Sequence, residues 1–384
     1  MADGGEAFSA RTVSSIDEIG RDVWDRFANP NPGAHNPFVS FDFLKTLEDS
    51  QSVGGQSGWA PSHLVVEEAG AVIGVAPLYA KAHSQGEYVF DHHWADAYER
   101  AGGRYYPKLV CAAPFTPVPG PRLLGRDATA RAALAAAMIE VTNHVGASSL
   151  HANFLNAEDQ AALTAAGALP RLGEQYHWFN RGYGAYDDFL ETLASRKRKA
   201  IRRERREAAE SGLTIRQLRG RDIEERHWNA MWAFYQDTGA RKWGRPYLTR
   251  TFFRLVGERM ADRLLLVFAF RGETPVAGAL NFIGGDALYG RYWGCVEEYP
   301  FLHFELCYHQ AIDYAIAHGL DRVEAGAQGE HKIARGYEPV TTRSAHWIAD
   351  SGFRVAIERY LESERAHTQA EIDALSGMTP FKKG

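Results

Sequence analysis

Apolar and polar positions recur in the same order in the two halves of the chain. In the first half, "SHLVVEEAGAVIGVAPLYAK" (62–81) is a pair of apolar runs split at "EAG". In the second, "LLLVFAFRGETPVAGALNFIG" (264–284) repeats the arrangement around "RGE". Short β-branched and aromatic runs flanking a turn predict a hairpin in each half. The second run of each carries a glycine, Gly74 and Gly278. A helix and a short strand follow. The spacing predicts helices over 132–146 and 304–319, each ending near a glycine that suits a C-terminal cap. Short strands are predicted at 148–155 and 321–327, and a later strand carries a His-Trp pair in each half, "QYHWFN" (175–180) and "SAHWIA" (344–349). The period is far longer than that of solenoid arrays. It predicts two copies of one α/β domain of about 180 residues, covering 1–182 and 183–384.

At the start of the second half the pattern changes. "SRKRKAIRRERREAAESG" (195–212) sets eight Lys or Arg among its first twelve residues, with Glu204 the one anion among them. Good helix formers dominate 187–211, proline is absent and Gly212 closes the run, which predicts a basic helix opening the second domain. Asp187, Asp188 and Glu191 fall at its start, where the helix dipole favours negative charge. Leu190, Leu193, Ile201 and Ala208 give a thin apolar stripe. Two readings stand: a solvated helix packed by that stripe, or a surface that meets an anion. The one-sided charge favours the second, because like charges so close repel one another. Arg198, Arg202 and Arg205 are the candidate anion contacts.

The totals narrow the class. The chain has 384 residues and is 45% apolar, enough for a core in each half. A formal net charge of −5 argues against a dedicated nucleic-acid binder and leaves room for a local basic patch. The three cysteines, Cys111, Cys295 and Cys307, form no CxxC, which argues against a disulfide framework or structural zinc and for a reducing compartment. The N-terminal stretch is acidic and lacks the apolar segment of a signal peptide. The run "LLLVFAF" (264–270) is too short to span a bilayer. A soluble, cytoplasmic protein without a transmembrane segment is expected.

The order helix, hairpin, strand, helix, strand, strand resembles the GNAT acyltransferase fold, and its doubling is similar to FemABX-type acyltransferases. "FYQDTGARKWGRPYLTRTFF" (234–253), "HFELCYHQAIDYAIAHGL" (303–320) and "EAGAQGEHKIARGYEPVTTRSAHW" (324–347) resemble more closely the predicted N-acyltransferase family of the peptidoglycan biosynthesis/recognition type. "NPFVSFDFLKTLEDS" (36–50) and "FDHHWADAYERAGGRYYPKL" (90–109) match too. The resemblance implies two tandem GNAT-like domains, each a mixed, mostly antiparallel sheet flanked by helices. It also implies an anionic acyl donor, aminoacyl-tRNA in FemABX-like enzymes, acyl-CoA or a carrier protein in others, and no permanently bound cofactor. The long helical arm of classical FemABX members has no counterpart in 213–384, a departure that weakens the tRNA reading. The glycine-rich loop that holds CoA pyrophosphate is not indicated either. The matching segment, 294–307, offers Glu297 and Glu298, and 119–134 offers only a partial match through Arg122, Gly125 and Arg126, with Asp127 placed as a helix cap.

N-acyl transfer needs an amine freed of its proton, a place for charge on the carbonyl oxygen and a proton for the leaving group. "GAQGEHKIARGYEP" (326–339) concentrates such groups after a predicted strand. His331 and Glu330 are candidate bases, with His331 favoured because imidazole titrates near neutrality unaided. Tyr337 is a candidate acid, and Lys332, Arg335 and Gln328 are candidate substrate contacts. Lys242 and Trp243 belong to a second cluster, 235–248, that suits an acceptor groove and equally suits helix-to-loop packing. In "LYGRYWG" (288–294), Arg291 and Trp293 share a strand face with Tyr289. In "FDHHWADAY" (90–98), Asp91, His92 and Trp94 are candidate substrate contacts. Adjacent histidines on a strand point to opposite faces, so no metal is expected there. Gly-x-Ser-x-Gly, P-loop and HExxH motifs are absent. The expectation is an N-acyltransferase acting on an amine of a small metabolite or cell-envelope precursor. The rival is a non-catalytic binding or recognition protein that retains the fold.

Overall fold

A computed structural model describes residues 8–242, 246–326 and 329–382, with the side chains of 240–242 and 330 outside the description. The chain forms two compact units. Unit 1 takes Met1–Pro30, Phe38–Gly173 and Thr341–Ala370; unit 2 takes Asn31–Pro37, Glu174–Val340 and Glu371–Gly384.

Unit 1 contains β1 (Phe8–Val13), β2 (Trp59–Pro61), β3 (His63–Glu68), β4 (Ala71–Ala76), β5 (Leu78–Lys81), β6 (Lys108–Cys111), β7 (Leu124–Gly125) and β8 (Ser149–Leu155). The hairpin expected at 62–81 is β3–β4, with Leu64 opposite Ala76, in a sheet of order β1-β3-β4-β7. Pro77 has no N–H to give a ladder and separates β4 from β5. β5 pairs instead with β2 and β6, and β6 runs parallel to β8. Successive residues of a strand face opposite sides. Leu78, Leu109, Cys111, Leu150 and Ala152 therefore meet Leu134 and Met138 of helix Ala128–His144 in the apolar core. Each such fully buried leucine contributes about 1.5–3 kcal/mol. Tyr79, Lys81, Lys108, Ser149, His151 and Asn153 face the other way and are equally buried.

β9 (Leu169–Phe179) carries His177 and Trp178 and belongs to unit 2 from Glu174 onward. Unit 2 continues with β10 (Thr214–Arg219), β11 (Leu264–Arg271), β12 (Thr274–Ile283), β13 (Ala287–Cys295) and β14 (Arg322–Glu324), in the order β10-β11-β12-β13-β14-β9. Its pairings are antiparallel except β13 with β14. β15 (Glu338–Ile348) belongs to unit 1 from Thr341 onward and pairs antiparallel with β8, His346 opposite His151. One plan thus recurs: a parallel pair, β6·β8 or β13·β14, followed by an antiparallel strand bearing His-Trp. That last strand comes in each unit from the other half of the sequence. The expected boundary at 182/183 lies just past the passage at Gly173–Glu174, and the return at Val340–Thr341 adds a second one.

Three elements differ from expectation. The basic helix is broken into Tyr186–Thr192 and Ser195–Ala209. Leu193, between them, is fully buried and extended because it bridges Phe381. The stretch read as extended around His92 is instead helix His92–Arg100. The main helix of the second half starts at Leu302 and carries a π turn at Glu305–His309 before continuing as Gln310–Ala317. Among the described residues no helix is long and apolar enough to cross a membrane.

Candidate functional site

In unit 2, β13 and β14 run side by side only from Ala287↔Arg322 to Tyr289↔Glu324. β14 then stops while β13 continues to Cys295, so the sheet opens. On its other side β13 bulges: Leu280 faces Tyr292 and Asn281 faces Gly290, leaving Arg291 as the extra residue. The bulge interrupts the simple alternation expected for 288–294. The resulting chamber, about 110 Å³, is lined by Asn281, Arg291, Trp293, His303, Cys307, Tyr308 and Gly326. Trp293 and His303 also line an adjoining chamber of about 290 Å³ that contains Glu297 and Glu298.

The π turn in the main helix carries Tyr308, whose hydroxyl lies 2.9 Å from Nε2 of His331. π turns are frequent at functional sites. Gly329 makes this contact possible: its φ is +118°, and a Cβ there would fall 2.4 Å from Cε1 of His331. His331 itself is exposed. Burial pushes the Tyr308 hydroxyl well above its ordinary pKa.

The other residues of 326–339 divide by role. Lys332 is buried and donates from Nζ to the Gly326 carbonyl at 2.8 Å, pinning one wall of the chamber. Burial lowers its pKa to about 7. Arg335 donates to both oxygens of Glu204 at 3.0 and 2.9 Å and to the His331 carbonyl at 2.8 Å, with its guanidinium 3.4 Å over the Phe304 ring. It anchors the loop to the basic helix. Burial alone would raise the Glu204 pKa, but His309 and Arg335 outweigh it and hold the carboxyl below its ordinary value. Tyr337 is fully buried, its hydroxyl has no partner among the described residues, and its ring lies 5.5 Å from that of Tyr308. It packs beneath the site. Gln328 and Trp243 lie outside the described residues, as do the side chains of Glu330 and Lys242. Arg291 and Trp293 line the chamber.

The three arginines singled out on the basic helix hold carboxylates of their own unit. Arg198 meets Glu191 at 2.9 Å, Arg202 meets Asp187 at 3.1 Å, and Arg205 meets Glu305 at 3.1 Å and Asp313 at 2.6 Å. Arg196, Lys197 and Lys199 are exposed.

Asp91, His92 and Trp94 belong to unit 1. His92 is exposed and stacks near Phe90, whereas Asp91 joins a buried polar network. Lys108 Nζ donates to Asp91 at 2.5 Å, Glu87 at 2.9 Å and Ser84 at 2.9 Å. The Tyr105 hydroxyl donates to Asp91 at 2.7 Å. It also lies 3.3 Å from Nε2 of His151, whose Nδ1 is 2.7 Å from Nδ1 of His346. The Trp94 ring stands edge-on to His346. Burial would raise the Asp91 pKa, but His151 and Lys108 hold it well below the carboxylate range. Burial lowers Lys81 to about 7 and His151 to about 3, and raises Glu87 to about 7. Sequence reasoning missed Lys81, Glu87, Lys108, His151 and His346. For Lys81, Lys108, His151 and His346 the signal is polar residues at alternate positions on strands whose other face is apolar; Glu87 lies in the loop after β5. It also missed Tyr308 and Asn281, which read as core positions of a helix and a strand. Among the described residues no group of three His, Cys, Asp or Glu is placed to hold a metal ion.

Comparison with known proteins adds a family and a fold. A FemAB-like family model, described as peptidoglycan biosynthesis/recognition, matches residues 15–383. The crystal structure of FemX aligns with a TM-score of 0.54 at 13% identity, over 88% of this chain and 98% of that one. A conserved protein of unknown function from Bacteroides thetaiotaomicron aligns with a TM-score of 0.52 at 13% identity, over 87% and 98%. A tandem GNAT protein from the clavulanic acid biosynthesis pathway aligns at 0.47 and 14% identity, over 89% and 98%. No curated protein sequence matches. Together with the strand orders, the likeness to FemX makes the architecture that of two tandem GNAT-like domains.

Proposed function

Since this chain belongs to the FemAB-like family of peptidoglycan biosynthesis and recognition proteins, we propose that it is an N-acyltransferase. It moves an acyl or aminoacyl group onto an amine of a small metabolite or cell-envelope precursor. The observation that carries this reading is the Tyr308–His331 pair, which joins a buried chamber wall to an exposed imidazole.

An amine must lose a proton before, or as, it forms the new N–C bond. In this reading the amine proton passes to the Tyr308 oxygen while the Tyr308 proton passes to Nε2 of His331. The two transfers are coupled, because burial disfavours a free tyrosinate. His331, being exposed, then releases the proton to solvent or to the departing group. Arg291, on the same chamber, stands by for the negative charge that develops on the carbonyl oxygen. Lys332 keeps the Gly326 wall in place through its bond to the carbonyl. Glu330, next to His331 in sequence, orients the imidazole or binds the amine. The exposed Arg196, Lys197 and Lys199 support an anionic donor, acyl-CoA or aminoacyl-tRNA, while Glu297 and Glu298 speak against diphosphate binding in the larger chamber.

His331→Ala and Tyr308→Phe should each lower the acylation rate by about a hundredfold, the scale for losing a general base. If the two act as one relay, the double variant should be no slower than the slower single one. Single-turnover assays of the three variants check this. Full turnover in both single variants would leave the non-catalytic recognition protein as the better reading.

A further inference from the structure

Glu204 is the anion that interrupts the basic run, and charge pairing along the helix does not account for it. Residues three and four positions away share a helix face. For Glu204 these are Ala200, Ile201, Glu207 and Ala208, none of them a cation. Ile201 and Ala208 are buried, so Glu204 points inward with them, and its side chain is 16% exposed.

Two elements of the proposed site meet there. Arg335 donates to both oxygens of Glu204 and to the His331 carbonyl, and so fixes the loop that carries the imidazole. His309, next to Tyr308 in the π turn, brings Nε2 to 3.6 Å from Glu204 Oε2. Burial lowers the His309 pKa, so the ring is neutral and has one N–H to place. Its Nδ1 lies 2.7 Å from the Tyr186 hydroxyl, which burial keeps protonated and which therefore donates. The imidazole proton is left on Nε2, facing the carboxylate. The neighbouring Arg205 holds Glu305, the first residue of the same π turn, at 3.1 Å. Both ends of the turn are thus tied to the basic helix. The Phe304 ring completes the joint: Arg335 lies over it, and its centroid is 6.0 Å from that of Tyr308 and 5.8 Å from that of His331.

We propose that Glu204 is a positioning residue for the reaction: through Arg335 and His309 it holds His331 and Tyr308 at hydrogen-bond distance from each other. It acts through these two partners and not on the reacting atoms. The use made of the pair rests on the acyl-transfer reading; the placement of the pair does not.

Nitrogen-15 NMR of the histidines in the full chain tests this, at a pH where the His331 ring is neutral. Accepting from Tyr308 leaves Nε2 bare and fixes the ring as the tautomer protonated at Nδ1. Tyr308→Phe should abolish that preference and serves as the reference for a broken pair. Glu204→Gln, which keeps the size and loses the charge, should show the same mixed tautomers in a chain with native near-UV circular dichroism. If that variant does not fold, Glu204→Asp decides: its carboxylate is drawn back by one methylene and cannot reach both partners, so the preference should weaken. In turnover, Glu204→Gln should lower kcat about tenfold with KM for the acceptor unchanged, and should cost nothing more in the Tyr308→Phe background. A carboxylate with a purely structural role would lower the melting temperature and leave tautomer and kcat untouched, and that result would overturn the assignment. So would a further loss in the double variant. A ring protonated at Nε2 in the unaltered chain would overturn both the relay and this inference, whereas a fixed Nδ1 tautomer that survives Glu204→Gln and Glu204→Asp would strike only the role of Glu204. A chain that gives the expected spectra and transfers nothing would keep Glu204 as the residue that sets the pair and lose the proposed reaction.

Discussion

At Lys332 the surroundings act on a proton. Burial moves its pKa from 10.5 to about 7. Below about pH 7 the folded and unfolded chains both hold the proton, and the cost of burying the charge is felt in full. Above it, and up to about 10.5, the unfolded chain binds a proton that the folded chain has released, so stability rises with pH across that window. Lys81 in unit 1, also lowered to about 7, acts in the same direction. Lys332→Met should raise stability at pH 6.5 and flatten the rise between pH 7 and 9, by up to about 1.4 kcal/mol per pH unit. Thermal melts at spaced pH values check this; a variant curve parallel to the original would mean that Lys332 is solvated. None of this is legible in "GEHKIARG", where Lys332 reads as a charged candidate substrate contact and not as a buried amine. Its neighbours come from other elements: the Tyr176 ring of β9 lies 5.9 Å from its Nζ.

Among the elements, those fixed by local pattern are the legible ones. The hairpin β11–β12 and the His-Trp strands follow from alternation, and the helix at Ala128–His144 from its Asp127 cap, which accepts from the Ala130 N–H. The break in the basic helix is not legible, because Phe381, far along the chain, causes it. The charge partners of that helix are legible only in part. Asp187 and Glu191 are near in sequence, but Glu305 and Asp313 arrive with the main helix. The partners also set the cost of substitution. Arg205→Gln would leave Glu305, 4% exposed, and Asp313 facing each other without a cation, a loss of about 1.5–3 kcal/mol in urea unfolding. Arg198→Gln and Arg202→Gln, in more open pairs, should each cost under about 1 kcal/mol. Equal losses at all three positions would show that the Arg205 pairs are screened by water.

For the whole molecule, the repeat read from the sequence is real in plan, yet each unit finishes with a strand from the opposite half. A fragment of residues 1–182 would lack β15, which pairs with β8, and Ile357 and Leu361 of helix Ser351–Ser376, which pack with Trp94 and Tyr105. It should lose fixed packing, seen as a collapsed near-UV circular dichroism signal and dye binding to exposed apolar surface. A fragment with native near-UV signal would show that β15 and the helix are dispensable. The same exchange has a consequence in time. On the ribosome the first part of unit 1 emerges early but cannot close until the chain has reached Ala370, roughly 200 residues later. At about 5–20 residues per second, that is a wait of roughly ten to forty seconds. Throughout it, the β8 edge with His151 has no β15 to cover it, and a newly made chain stays exposed to pairing with its neighbours on the same message.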